Sequence, residues 1–159
     1  MNPSCNCYSL RQATRRVTQL YDRVLAPIGL RATQLSLLRE VDRLGPIALN
    51  ALADEMVMDR ATLGHNVRPL LAQGLLRLVI GQDRRRREVS LTAKGRRTLA
   101  EGWTLWRHAQ DGFEKALGAN HAAELRSLLH RVAALEVEAK LRRRALPRSP
   151  DRRRCGCAT

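Results

Sequence analysis

The chain has 159 residues, enough for one domain with a buried core, and carries 29 lysine and arginine residues against 15 aspartate and glutamate residues, a net charge of +14. This excess of positive charge favours an anionic partner, either nucleic acid or an anionic membrane surface. Since no apolar run reaches about 18 residues and the first residues lack the layout of a secretion signal, we expect a cytoplasmic protein that does not insert into a membrane.

Apolar residues at spacings of three and four predict four helices in the first half of the chain. The first helix ends at the break formed by Pro27 and Gly29, and the second ends at "LGP", residues 44–46. The third runs through Leu49, Leu52, Ala53 and Met56. Asp59 is the predicted N-cap of a fourth helix over 60–73, which Gly74 closes.

Two strand-like segments follow, "LLRLVI" at 75–80 and "REVSL" at 87–91. They predict a β-hairpin with the arginine run Arg84–Arg87 at its tip. Two long helices come next, one carrying Trp103 and Trp106 and the other starting near Asn120. Because the apolar stripes of the long helices are too extensive for this small unit to cover, we expect a homodimer.

Three helices followed by a hairpin is the element order of a winged helix-turn-helix. We therefore predict a mainly α fold with a small β-hairpin wing. In it, a winged helix-turn-helix DNA-binding region over 31–91 lies inside an all-helical dimerisation region formed by the N- and C-terminal helices, 1–30 and 92–140. The segment 141–159 contains seven arginines, one aspartate and two prolines, so it is predicted to be a disordered basic tail.

The wing sequence "DRRRREVSLTAKG" carries Asp83, Arg85 and the motif Leu91-Thr92-Ala93-Lys94-Gly95, and it resembles the MarR (multiple-antibiotic-resistance regulator) family of bacterial transcription factors. The segment "LADEMVMDRATLGHNVRPLLAQGLL" resembles the recognition segment of that family, and the resemblance spans roughly 8–140. It implies a triangular homodimer whose first, fifth and sixth helices interlock. It also implies a sequence-specific repressor that presents its fourth helix to successive major grooves of a pseudo-palindromic operator.

The candidate DNA contacts lie on the fourth helix and on the wing. Asn66 can read an adenine edge and Arg68 a guanine or a phosphate, while wing arginines suit phosphates and a narrow minor groove. The alternative is a solvated charged surface. The opposite helix face, with Leu63, Val67, Leu70 and Leu71, is predicted to be buried. The full set of candidates is Arg60, Thr62, His65, Asn66, Arg68, Arg84, Arg85, Arg86 and Arg87.

Cysteines occur in two pairs, "CNC" (Cys5 and Cys7) and "CGC" (Cys155 and Cys157). Cys7 followed by Tyr21 resembles the organic-hydroperoxide-sensing branch of the family, although Ala32 stands where that branch has a second tyrosine. This resemblance implies a redox switch at Cys7 with Tyr21, and Cys5, two residues before Cys7, is a further redox candidate. The alternatives are inert cysteines and a four-thiolate metal site.

Other functions also stay open at this point. A small aromatic acid could bind between the dimerisation and winged regions, with Trp103 and Trp106 either lining that cleft or forming core. No nucleophile–base pair, phosphate loop or metal cluster is visible, so we predict a protein that is not an enzyme and needs no cofactor. The predicted partners are double-stranded DNA, a second copy of the chain and an effector. A metal-responsive regulator and a non-specific architectural DNA-binding protein are the alternative functions.

Overall fold

The computed structural model describes residues 5–81 and 87–135, and the chain divides into two compact units, Met1–Ala116 and Leu117–Thr159. The described elements are α1 (Asn6–Leu25), a 3-10 turn (Ala26–Ile28), α2 (Ala32–Leu44), β1 (Ile47–Ala48), α3 (Leu49–Glu55), α4 (Arg60–Ala72), β2 (Leu76–Ile80), β3 (Arg87–Leu91), α5 (Ala93–Leu117) and α6 (Ala119–Ala133). This order confirms the predicted winged helix-turn-helix flanked by long helices. Within the described ranges, none of the helices combines the length and apolar character that crossing a bilayer requires.

The sheet has three antiparallel strands in the order β1-β3-β2. β3 pairs with β2 from Leu76 opposite Leu91 to Ile80 opposite Arg87, which confirms the predicted hairpin, although β2 begins one residue later than predicted. β1 pairs with β3 through Ile47 opposite Val89, and this strand is not predicted by the sequence pattern. A strand of two residues is too short to show an alternating pattern, so it is visible only through its partner.

The core of the first unit lies between α2, α4 and the sheet. Its side chains are almost entirely leucine and valine, and the largest fully buried ones are Leu25, Leu37, Leu38, Leu52, Leu63, Leu70, Leu76, Val41 and Val89. Leu63, Val67 and Leu70 recur at helical spacing on α4, and all three are buried, while Leu71 packs against the same cluster. The predicted buried face of the fourth helix is therefore confirmed, and the opposite face of α4 points away from the core.

The turn between α3 and α4 has an unusual residue at its centre. The N–H of Met58 donates to the carbonyl of Ala53 and the N–H of Val57 donates to that of Asp54, the two bonds of a Schellman motif. The motif requires a left-handed residue at Val57, whose φ is +52°. Glycine normally occupies this position, since a left-handed conformation costs an L-residue about 1–2 kcal/mol. Packing against the core does not offset this cost, because Val57 is 83% exposed.

The end of the wing is joined to the start of α5 by a clamp centred on Thr92. Its hydroxyl donates to the carbonyl of Gly74 at 2.7 Å and accepts the N–H of Gly95 at 2.9 Å. The N–H of Thr92 donates to the carbonyl of Leu75 at 3.1 Å. Gly95 is buried, and a Cβ at this position would overlap the carbonyl oxygen of Leu75. Threonine and glycine of the Leu-Thr-x-x-Gly motif are thus both required by the joint between β2, β3 and α5.

Candidate nucleic-acid interface

The start of α4 is fixed by its N-cap. Asp59 is in an extended conformation, and its Oδ1 accepts the backbone N–H of Thr62 at 2.8 Å. Its Oδ2 accepts the hydroxyl of Thr62 at 2.6 Å. These two bonds lower the pKa of Asp59 below its ordinary value of 3.8, the Thr62 hydroxyl contributing most. The predicted N-cap is confirmed, and the first turn of α4 is thereby held in one geometry.

The N-cap bonds also limit what Thr62 can do. Because the single hydroxyl proton of Thr62 is donated to Asp59, this side chain can act toward a ligand only as an acceptor. Donation to a phosphate oxygen is therefore excluded while the cap is formed. An amino group on a base edge, such as that of adenine or cytosine, is the partner that suits Thr62.

Asn66 is half-buried on α4. Its Nδ2 donates to the carbonyl of Thr62, one helical turn earlier, at 2.8 Å. An amide has two N–H groups, so this bond orients the side chain and still leaves one N–H and Oδ1 for a bidentate contact with adenine. Asn66 remains a candidate for base reading, with a restricted direction.

The remaining α4 candidates, Arg60, His65 and Arg68, are exposed and lie opposite or beside the buried leucine face. Ala61 is exposed on the same side, and it is not predicted from the sequence because a small apolar residue carries no charge or hydrogen-bonding signal. α4 has no acidic residue in its first turn. The exposed side of α4 therefore combines two guanidinium groups, an imidazole and a small apolar contact, a composition suited to a DNA groove.

The wing contributes one candidate within the described residues. Arg87, the first residue of β3, is exposed and lines a groove together with Asn50 and Asp54 of α3. The groove places the wing guanidinium beside the helix that precedes α4. Arg84, Arg85 and Arg86 lie outside the described residues, so their part in the interface stays a prediction.

We predict that Asp59→Ala lowers the stability of the protein at neutral pH, whereas Asp59→Asn keeps one cap bond through its single oxygen and loses only the bond that Oδ2 accepts from the Thr62 hydroxyl. The pKa of Asp59 is lowered by folding, so its contribution is present above about pH 4 and is lost as the pH falls through the folded-state pKa. Urea unfolding of wild type and Asp59→Ala at about pH 7 and about pH 3 measures the difference in their free energy of unfolding at each pH. A difference that is equally large at both values would contradict the role of the ionised carboxylate.

A second candidate site is a groove between α2 and α5, with a volume of about 520 Å³. The Arg39 guanidinium lies 5.0 Å above the ring of Trp103, and Trp103 stacks on Trp106 with 4.5 Å between ring centroids. Arg96, Arg107 and the carboxylate of Asp42 complete its charged lining, with Leu99 among its apolar residues. Both tryptophans are half-buried, so Trp103 is part of a surface groove, while Trp106 also packs against the core.

The redox candidates occupy different surroundings. Cys5 and Cys7 are exposed free thiols at the start of α1. Tyr21 is buried, and its hydroxyl donates to Gln110 Oε1 on α5 at 2.6 Å. Cys155 and Cys157 lie outside the described residues. Within 5–81 and 87–135, no group of three or more histidine, cysteine, aspartate or glutamate side chains is placed to hold a metal ion.

Comparison with known proteins gives no matching family model and no matching curated protein. Solved structures do match. The regulator MosR of M. tuberculosis in complex with DNA is 33% identical, with 83% of this chain and 100% of that chain covered and a TM-score of 0.68. A probable transcriptional regulator from Pseudomonas aeruginosa is 31% identical, covering 81% and 97%, with a TM-score of 0.75. The transcriptional repressor CouR bound to a 23-mer DNA duplex is 27% identical, covering 81% and 92%, with a TM-score of 0.75.

Proposed function

The chain belongs to the MarR family of DNA-binding transcriptional regulators, and from this premise we propose that it is a cytoplasmic, sequence-specific repressor acting as a homodimer on a pseudo-palindromic operator. The observation that carries the proposal is the exposed face of α4 beside the wing. This face belongs to a fold that is also seen in DNA-bound MosR and CouR.

In this proposal α4 reads bases and the wing binds the backbone. His65, Asn66 and Arg68 are assigned to base edges in the major groove, and Thr62 accepts from a base amino group. Arg60, near the helix start, contacts a phosphate. The wing arginines Arg84–Arg87 contact phosphates and the adjacent minor groove, where closely spaced guanidinium groups are attracted by the negative potential.

The homodimer is supported by apolar side chains that the single chain leaves exposed. On α6, Leu128, Leu129 and Val132 are between 40% and 48% exposed and recur on one helix face. On α1, Leu10 is 37% exposed. A second copy of the chain is the occupant that we propose for these faces. A two-fold symmetric dimer then presents two α4 helices to two half-sites, which accounts for a pseudo-palindromic operator.

We expect Arg68→Ala and Arg85→Ala to weaken operator binding in different ways. Loss of a base contact by Arg68→Ala lowers affinity for the operator by about 1–3 kcal/mol and relaxes preference at one base pair. Loss of a backbone contact by Arg85→Ala weakens binding to operator and random DNA alike, and lowers the salt slope by about 0.9 per contact. Fluorescence-anisotropy titrations against operator and scrambled duplexes at several salt concentrations measure both effects.

Arg126→Lys on α6 keeps the charge and lies outside α4 and the wing. It is the control that shows whether an arginine substitution elsewhere in the protein changes operator affinity. Equal affinity of wild type for operator and scrambled DNA at moderate salt would overturn the sequence-specific proposal. It would favour the architectural alternative instead. Unchanged operator affinity in Arg85→Ala would remove the wing assignment alone.

For the signal that releases the operator, we propose oxidation of Cys7. Its thiol is free and exposed at the first turn of α1, so an oxidant can reach it. Tyr21 lies 14 residues further on, about 21 Å along a helix, so within one chain it cannot reach Cys7. Any contact between the two must therefore form across the dimer.

The groove between α2 and α5 supports a bound effector as the second candidate signal. Three guanidinium groups and one carboxylate line it, and Trp103 supplies an aromatic face, so an anionic aromatic molecule fits its chemistry. CouR has been solved bound to p-coumaroyl-CoA, an aromatic thioester that carries phosphates, at 25% identity to this chain. A ligand that binds against α5 in this groove would act on the wing through the Thr92 clamp, because the clamp joins the wing to the start of α5.

Mild peroxide is expected to reduce the operator affinity of the wild-type protein by at least tenfold. The operator affinity of Cys7→Ser is expected to stay unchanged under the same treatment. A Cys7 thiolate attacks the peroxide O–O bond, releases water or an alcohol and becomes a sulfenic acid, which condenses with a second thiol to give a disulfide and water. The measurement is operator affinity before and after treatment, with Cys5→Ser as the matched control.

Equal loss of binding in wild type and Cys7→Ser would exclude Cys7 from the mechanism. No loss in wild type would leave a ligand in the α2–α5 groove as the effector. Restoration by a thiol reductant distinguishes the disulfide from irreversible damage.

A further inference from the structure

Val57 combines two features that folding does not explain. Its backbone is left-handed, with φ at +52°, in a β-branched residue that disfavours this conformation. The residue is 83% exposed, the largest value among the exposed large hydrophobic residues of the described ranges. Glycine at this position would relieve the backbone strain, and a polar residue would remove the exposed apolar surface.

The turn that carries Val57 is fixed on both sides. Met56 and Met58 pack against the core, and the two Schellman hydrogen bonds hold the backbone from Ala53 to Met58. Asp59 follows as the N-cap of α4. The isopropyl group of Val57 is therefore presented in a set position, two residues before the cap of the helix that is proposed to enter the major groove.

A valine side chain has no hydrogen-bonding group, so it can distinguish bases only by apolar contact. The 5-methyl group of thymine is the apolar feature that base pairs display in the major groove. We propose that Val57 reads this methyl group at one thymine of each operator half-site and is a specificity-determining residue of the regulator. This inference rests on the proposed binding of α4 in the major groove.

The test is a double-mutant cycle in which changes at Val57 are combined with changes to single thymines of the operator. Each thymine of the operator half-site is replaced in turn by deoxyuridine, which lacks the 5-methyl group and keeps the hydrogen-bonding edge. At one position the wild-type protein is expected to lose about fourfold in affinity, the value of one buried methyl group. Val57→Gly is expected to bind the unmodified operator more weakly and to show no further loss with deoxyuridine at that position.

Stability is measured on the same variants to separate folding from recognition. Val57→Gly removes the backbone strain, so its midpoint of thermal unfolding is expected to equal or exceed that of wild type. A weaker affinity in a more stable protein then cannot arise from unfolding. Val57→Ala, which keeps the left-handed strain and one methyl group of the side chain, is the second variant. It should lose the deoxyuridine effect in part.

Two outcomes overturn the inference while leaving the proposed function intact. One is an operator whose half-site thymines can all be replaced by deoxyuridine without loss in wild type. The other is an equal deoxyuridine effect in wild type and Val57→Gly. If wild type shows no preference for any operator over random DNA, the proposed function fails and the inference fails with it.

Discussion

Gly95→Ala is expected to lower the free energy of unfolding by about 3 kcal/mol, the upper range for overpacking in a dense core. The added methyl group would overlap the carbonyl oxygen of Leu75, which is a backbone atom and cannot rotate away. That carbonyl also accepts the N–H of Thr92. The overlap would therefore separate α5 from the strand beside it and weaken the clamp that joins the wing to α5.

Gly64→Ala is the matched control, since it makes the same change within another helix. A Cβ at Gly64 meets nothing within 4 Å, so alanine adds no overlap there. It should raise stability by about 0.5–1 kcal/mol, because glycine loses more backbone freedom than alanine when a helix forms. Urea unfolding of wild type and the two variants measures the free energy of unfolding, which should fall in Gly95→Ala and rise in Gly64→Ala. A small effect of Gly95→Ala, similar to that of Gly64→Ala, would contradict the close approach at Leu75.

Local patterns predicted the elements of the winged helix-turn-helix well. Asp59 was identified as an N-cap from its residue type and position, and the spacing of Leu63, Val67 and Leu70 predicted the buried side of α4. These features depend on neighbours within one or two helical turns. They can therefore be inferred from the sequence without knowledge of the fold.

The features that sequence patterns do not predict depend on distant partners or on backbone geometry. β1 is recognisable only because Ile47 pairs with Val89, 42 residues later. The hydroxyl of Tyr21 finds its partner Gln110 at a separation of 89 residues. The strain at Val57 follows from the Schellman bonds and leaves no compositional signal, since a β-branched residue in that position is the opposite of what turn chemistry favours.

The Leu-Thr-x-x-Gly motif illustrates the difference between recognising a pattern and explaining it. Resemblance alone identified Thr92 and Gly95 as family features of the wing. The structure supplies the reason, since Thr92 caps the start of α5 and bonds to Gly74, while Gly95 lies against Leu75. The motif is thus a structural joint, and the residues proposed to contact DNA lie before it in the chain.

The double variant Leu128→Lys with Leu129→Lys is expected to convert the proposed dimer to monomer. Burial of two leucine side chains contributes about 3–6 kcal/mol, so their replacement should raise the dimer dissociation constant by at least about 100-fold. Four added charges in a symmetric interface would also repel one another. Sedimentation velocity measures the oligomeric state, and circular dichroism reports whether the helices persist.

Operator binding should decrease together with dimerisation, because a monomer presents one α4 helix and can occupy one half-site at a time. The matched control is Ala123→Lys with Ser127→Lys, which adds the same charge to exposed positions on the opposite side of α6. Its extra positive charge should leave the dimer intact and should not weaken binding to DNA. If the control dissociates as readily as the leucine variant, added charge rather than the apolar face of α6 is responsible. If the leucine variant remains a dimer with full operator affinity, Leu128 and Leu129 do not form the interface, and Leu10 on α1 becomes the next position to test.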